Sequence, residues 1–245
     1  MSYVELHFHL LPGVDDGPGS LQESIELARA ARADGTGTIV ATPHVHPVHI
    51  TDPLEISGYV GELSPHLRGE RVEVLAGGEL ADGMVERLSQ RQLDAIAHGP
   101  PGRRWLLLEA PFRGLDAPYR AAADELRQRG FAVVVAHPER AMVGSEARPV
   151  LEHELAAGSA LQLTAWSFAG LYGERVRTVA LRLLRSAPRV VIASDAHGGA
   201  RAPSLRLAVD ALVAAGERNC ERFVASGPRS LLEDGLAQPP AKMVA

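Results

Sequence analysis

The sequence predicts an α/β fold, with a parallel sheet closed into a seven-unit barrel in one domain over residues 1–236. Three observations carry that prediction. Seven short runs rich in Val, Ile and Leu recur along the chain, separated by stretches of helical character. Nearly all are continuously apolar, as parallel strands buried on both faces are, instead of alternating apolar with polar. Strand and helix alternate throughout, which defines an α/β fold with a parallel sheet. Seven units with no linker, near-identical repeat or low-complexity block favour one closed barrel over two open sheets.

The runs are Tyr3–Leu6, Thr38–Ala41, Val72–Ala76, Trp105–Leu108, Phe131–Ala136, Ala160–Leu163 and Val190–Ala193. Four of the intervening stretches read as helices. Leu21–Asp34 has Ser20 as N-cap, Glu23 at the capping-box position and Leu21, Ile25 and Leu27/Ala28 at helical spacing, and Gly35 stops it. Ala117–Arg129 ends at Gly130, Glu174–Arg185 precedes Pro188, and Pro203–Ala215 ends at Gly216. A tail over 237–245, containing Gln238-Pro239-Pro240-Ala241-Lys242, reads as flexible.

Composition narrows the function. The 245 residues are 46% hydrophobic and 22% charged, ordinary for a soluble globular protein. A net charge of −5 with mixed signs leaves no basic footprint, which argues against nucleic acid as partner. Cys220 is the only cysteine, so no internal disulfide, Cys-based zinc site or thiol-phosphatase chemistry is expected, and a reducing cytosol fits. No basic segment followed by an apolar one opens the chain, and no apolar run approaches the ~18 residues of a membrane span. The expectation is a cytoplasmic protein without direct membrane insertion.

Each apolar run ends in polar residues. The first runs into His7 and His9, which at i and i+2 of an extended strand point to one side. The others end at Thr42-Pro43-His44, Gly77-Gly78-Glu79, Glu109-Ala110-Pro111, His137-Pro138-Glu139-Arg140, Thr164-Ala165-Trp166-Ser167 and Ser194-Asp195-Ala196-His197. In (β/α) barrels the C-terminal strand ends form the active-site face. Five histidines, two glutamates and one aspartate would therefore meet at one mouth. Imidazole and carboxylate donors without thiolate suit manganese, zinc or iron, in number enough for two or three ions. A lone histidine after a strand is weak evidence; donors of one type at six of seven strand ends are not. His66 and His153 fall in helical stretches and read as solvated, and His46 and His49 are expected near the mouth but not as ligands.

These motifs resemble the PHP (polymerase and histidinol phosphatase) superfamily. Glu5-Leu6-His7-Phe8-His9, Thr42-Pro43-His44, Gly78-Glu79, Leu108-Glu109, Ala136-His137-Pro138-Glu139-Arg140 and Ser194-Asp195-Ala196-His197 carry the resemblance. Leu11-Pro12-Gly13-Val14-Asp15-Asp16-Gly17 and Gly19–Ala33 are similar, more specifically, to the bacterial capsule-type, manganese-dependent protein-tyrosine phosphatases, over residues 3 to 232. The resemblance implies a distorted (β/α)7 TIM-like barrel. It implies the metal ligands His7, His9, His44, Glu79, Glu109, His137, Asp195 and His197, and Arg140 and Arg201 as holders of the phosphate. The sequence departs from that pattern at Glu5, where Asp is usual and hydrogen bonding to the first histidine would change. It departs also at Val45, Gly78, Ala141 and Thr164-Ala165-Trp166-Ser167, which surround the expected pocket.

The expected reaction is hydrolysis of a phosphate monoester by metal-bound hydroxide, with manganese first among the ions and zinc or iron as alternatives. The expected substrate is phosphotyrosine on a protein in capsule or exopolysaccharide regulation, such as a tyrosine-kinase tail. Asp16 and His46 are weak candidates for protonating the leaving oxygen, and Ser167 and Ser194 read as strand-end hydrogen-bonding residues. The alternatives are the same chemistry on a small phosphomonoester such as histidinol phosphate, and a metal-binding regulatory module without turnover.

Overall fold

The computed structural model describes residues 1–142 and 144–238. The part of the expected tail over 239–245 lies outside the described residues. Nine parallel strand segments make seven barrel staves. They are β1 (Tyr3–Phe8), β2 (Thr36–Ala41), β3 (His44–Val45), β4 (Glu73–Ala76), β5 (Glu79–Leu80), β6 (Trp105–Glu109), β7 (Ala132–Ala136), β8 (Ala160–Thr164) and β9 (Val190–Ala193). The seven predicted runs all become strands, with ends shifted by two residues or fewer. The second and third staves are each interrupted. Pro43 lacks the N–H a ladder needs, and Gly77-Gly78 separates β4 from β5, so β2 with β3 and β4 with β5 are broken halves of single staves.

The pairing runs β1-β2-β4 in one sheet and β3-β5-β6-β7-β8-β9 in the other, every ladder parallel. The ring closes where a parallel bridge joins Phe8 to Ala196, supported by His9 N–H to Ala196 O at 2.9 Å and Asp195 N–H to His7 O at 3.1 Å. Beside the strand break, His98 forms an antiparallel bridge to Trp105. The barrel is distorted where two staves are split.

Helices cover the outside. Leu21–Asp34 forms as predicted: Ser20 Oγ accepts the Glu23 N–H, and Gly35 adopts φ 115 to end the helix. The capping box is displaced by one residue, because the Glu23 carboxylate accepts the Gly19 N–H at 2.7 Å instead of that of Ser20. Ala117–Gln128 is capped by Asp116, Glu174–Ser186 runs one residue beyond the prediction, and Leu205–Ala214 begins two residues later than predicted. Ile56–Leu63, Gln90–Ile96 and Ser226–Glu233 are helices the sequence did not predict, and Ala147–Ala156 gives bounds to the helical stretch expected around His153. Among the described residues no helix is long and apolar enough to cross a membrane.

The strands present one face to this helical layer and the other to the barrel interior. The floor of the interior is an apolar cluster of Val4, Leu6, Val40, Trp105, Leu107, Val134 and Leu231, among others. The alternate residues Leu106, Leu108, Val133, Val135, Leu161 and Leu163 belong to the outer cluster. Above the floor the inward positions turn polar, and that is where the candidate site lies.

Candidate metal centre

A register shift in β1 between Glu5 and Phe8 sets the site. Strict alternation would send His7 to the face opposite Leu6. With the irregularity, Val4 and Leu6 pack in the floor cluster, Phe8 packs outside, and His7 and His9 both enter the mouth. A bulge re-aims side chains in this way. Two further donors stand on unusual backbone: His137 has φ 36 and Asp195 has φ 53, left-handed values that non-glycine residues rarely adopt.

The structure brings all eight expected ligands together. Their donor atoms fall into overlapping groups: His7, His9 and Asp195; His7, Glu79 and His137; His44, Glu79 and Glu109; and His9, Asp16, His44 and His197. Within each group the atoms lie within 4.8 Å of one another. Glu79 is the hub. Its Oε2 is 3.1, 3.4 and 3.0 Å from nitrogens of His7, His9 and His44, and its Oε1 is 2.9 Å from His137 Nε2. Asp16, read from sequence only as a weak proton donor, lies 3.1 Å from His197 Nε2 and 3.4 Å from His44 Nε2. His46 and His49 sit beside the mouth outside these groups, and His66 is exposed. His153 is not simply solvated: it pairs with Asp124 at 3.1 Å.

Two partners the sequence did not reveal fix the imidazoles. His7 Nδ1–H donates to Gln162 Oε1 at 2.9 Å, and that oxygen also accepts the His137 N–H at 3.2 Å. His9 Nδ1–H donates to Asp15 Oδ2 at 2.7 Å, and the same oxygen accepts the His44 N–H at 3.1 Å. With both Nδ1 atoms protonated, the Nε2 lone pairs of His7 and His9 face each other across 3.2 Å. Glu79 Oε2 and Asp195 Oδ1 point into the same space. Acceptors converge there, and only protons or cations relieve their repulsion. Glu79 Oε2, His137 Nδ1 and His197 Nε2 are buried without a hydrogen bond. A divalent ion fits this donor set.

The protonation pattern expresses the same field. Burial alone would lower the His7 imidazole, but the carboxylates of Glu79 and Asp195 outweigh it and raise it to about 9. His44 likewise rises against burial, to about 10, beside Glu79. Burial and the neighbouring Glu79 raise Glu109 to about 7. Burial, joined by the adjacent His9, lowers His197 to about 3. Burial opposes but does not prevent the lowering of Asp15 to about 2 by His9.

Arg140 and Arg201 enter from one side. Both donate to Asp195 Oδ2, at 2.7 and 2.8 Å, while Asp195 Oδ1 faces His7 and His9. The Arg201 Nε–H is buried without a partner. Glu5 does not contact His7 as its position suggested: it accepts the Ser194 N–H at 2.8 Å, and burial raises its carboxyl to about 8. Glu139, within the His-Pro-Glu-Arg motif, is a structural brace. Its carboxylate accepts the Thr164 N–H at 2.8 Å and the Ser167 hydroxyl at 2.7 Å.

A parallel barrel carrying polar residues at the C-terminal ends of its strands is the architecture of the (β/α) barrels, in which that face forms the active site. The phosphotriesterase homology protein of Escherichia coli shares the fold, with a TM-score of 0.58 at 13% identity over 94% of this chain and 98% of that one. The chain belongs to the CpsB/CapC family of capsular polysaccharide synthesis, which matches residues 3–233. It is 35% identical over 199 residues to the tyrosine-protein phosphatase YwqE of Bacillus subtilis, covering 79% of this chain and 77% of that protein. It is 24% identical over 248 residues to the tyrosine-protein phosphatase CpsB of Streptococcus pneumoniae, covering 95% and 99%. A crystal structure from the study of YwqE and CpsB, described as unique metal-dependent tyrosine phosphatases, superposes with a TM-score of 0.82 at 30% identity over 97% of both chains.

Proposed function

We propose that this protein is a metal-dependent phosphatase that hydrolyses phosphotyrosine on proteins, with manganese in a centre held by His7, His9, His44, Glu79, Glu109, His137, Asp195 and His197. The observation that carries the reading is the convergence of imidazole and carboxylate donors around Glu79, whose mutual repulsion is relieved by protons in the metal-free protein and would be relieved by a bound cation. The named relatives support the substrate class. Asp16 extends the donor set at the solvent side.

A bound divalent ion supplies Lewis acidity toward phosphoryl oxygens and lowers the pKa of water from ~15.7 toward ~7. The chain does the rest. Gln162 and Asp15 hold the His7 and His9 rings in the tautomer that offers Nε2. Arg140 and Arg201, both anchored on Asp195, present guanidinium N–H groups to the phosphate oxygens. Water's oxygen forms the new bond to phosphorus, the ester oxygen leaves, and that oxygen takes up a proton. A phenol leaves readily, since the tyrosine hydroxyl has a pKa of only ~10. The same reading places the protein in the cytoplasm, acting on a phosphorylated protein such as a tyrosine-kinase tail in capsule regulation.

The test is turnover by metal-loaded protein on a phosphotyrosine peptide and on histidinol phosphate, with Mn, Zn and Fe in parallel. Manganese-dependent cleavage of the peptide is expected. Efficient cleavage of histidinol phosphate with none of the peptide would overturn the protein-substrate reading, and failure on both with every metal would overturn the enzyme.

A further inference from the structure

We propose that Phe112 forms the subsite for the aromatic ring of the substrate's leaving group, and that Tyr172 is a positioning residue that fixes Arg140 beside it. This rests on the phosphatase reading above and deepens it, because it locates the preference for aryl over alkyl phosphate esters in one side chain.

The Arg140 guanidinium lies against two rings. Its carbon is 4.7 Å from the centroid of Phe112 and 4.6 Å from that of Tyr172. The same guanidinium donates to Asp195 Oδ2. A cation held over two aromatic faces and anchored by a carboxylate keeps one plane and one direction. The two rings nevertheless differ in their surroundings. Tyr172 is partly buried and lies against Trp166, with ring centroids 5.9 Å apart. Phe112 is 62% exposed, just beyond the end of β6 and its Glu109.

Phe112 is not a stray surface residue. Its ring is parallel to that of His137 within 7°, with centroids 6.1 Å apart, so it stands as an exposed wall beside that donor ring. Any group esterified to a phosphate gripped by Arg140 must leave the mouth past the residues that flank that guanidinium. An exposed phenyl wall there offers an aromatic leaving group stacking or edge-to-face contact, which an alkyl group cannot match. Tyr172 is partly buried against Trp166 and offers less free surface than Phe112, so its part is to hold the arginine.

The experiment uses the full metal-loaded chain and two non-hydrolysable probes, phenylphosphonate and methylphosphonate, with phosphotyrosine and phosphoserine forms of one peptide for turnover. Wild type should bind phenylphosphonate the more tightly. Phe112→Ala should weaken phenylphosphonate about tenfold, weaken methylphosphonate by a clearly smaller factor because one of the two rings against Arg140 is lost, and raise KM for the phosphotyrosine peptide with little change in kcat. Phe112→Tyr should restore the preference. Tyr172→Ala should weaken both phosphonates alike, and Tyr172→Phe should restore both. A wild type that does not distinguish the phosphonates overturns the subsite, as does a Phe112→Ala variant that loses both probes equally or neither. A wild type that prefers phenylphosphonate, loses that preference in Phe112→Ala, yet cleaves no phosphotyrosine overturns the phosphatase reading and supports the subsite.

Discussion

The floor and the mouth of this barrel share strands and an inward face but obey opposite rules. On β6, Leu107 packs in the floor and Glu109, two residues on, joins the donors. From β9, four residues lead from Val191 in the floor to Asp195 just past the strand end. The floor is apolar, closed from below by Leu231 and Leu236, and its one indole N–H is satisfied: Trp105 Nε1–H donates to Leu231 O at 2.8 Å. The mouth concentrates buried carboxylates, orphaned nitrogens and two left-handed non-glycine residues. Buried charge is costly unless paired, and strain persists only where the surroundings over-determine it. The difference teaches that the floor supplies stability and the mouth consumes part of it to hold donors in place.

The largest effect expected of that division is at Glu79. Glu79→Gln keeps the shape but removes the charge that faces four imidazoles. Metal content and phosphatase turnover should fall by more than the ~100-fold typical of losing an outer partner, while circular dichroism and cooperative unfolding stay intact. Full metal occupancy in Glu79→Gln, measured by elemental analysis, would break the comparison at its strongest point.

Acidity gives the next effect. Metals bind neutral imidazole and ionised carboxylate. In the metal-free protein His7 keeps its proton to about 9 and His44 to about 10, so loading near neutrality must expel both. Below about 7, Glu109 adds a third proton to be expelled. Affinity should therefore rise with pH, about tenfold per unit for each proton displaced, and more steeply below pH 7 than above it. Calorimetry in buffers of different ionisation enthalpy counts the protons directly. Release of fewer than one at pH 8 would contradict the crowding inferred around Glu79. His98, beside the strand break, behaves differently. It has no carboxylate partner among the described residues, and burial with the nearby Arg104 lowers it to about 4.

The same contrast explains what could be read from the sequence. The strands were legible because parallel staves are apolar on both faces, and the donors because each follows such a run. Gln162 was hidden inside a run, and its partner His7 lies 155 positions away, a separation local pattern does not bridge. Asp15 was visible only as part of a family signature, although its work is to orient His9 and His44. The register shift in β1 left no mark, since Leu6 and His7 read as ordinary alternation when both in fact serve the interior.

The smallest effect belongs to the floor, and there the readout should reverse. Trp105→Phe retains most of the buried ring but leaves the Leu231 carbonyl without its 2.8 Å donor. A buried acceptor stripped of its partner costs roughly 1–3 kcal/mol, and the smaller ring adds a modest loss of packing. Stability in urea should fall by about that amount, whereas metal content, KM and kcat should match wild type at temperatures where the variant stays folded. The helix Ser226–Glu233, which carries Leu231, should become the first element to exchange its amides. If turnover fell in proportion to stability, floor and mouth would be one cooperative unit, and the division drawn between them would fail.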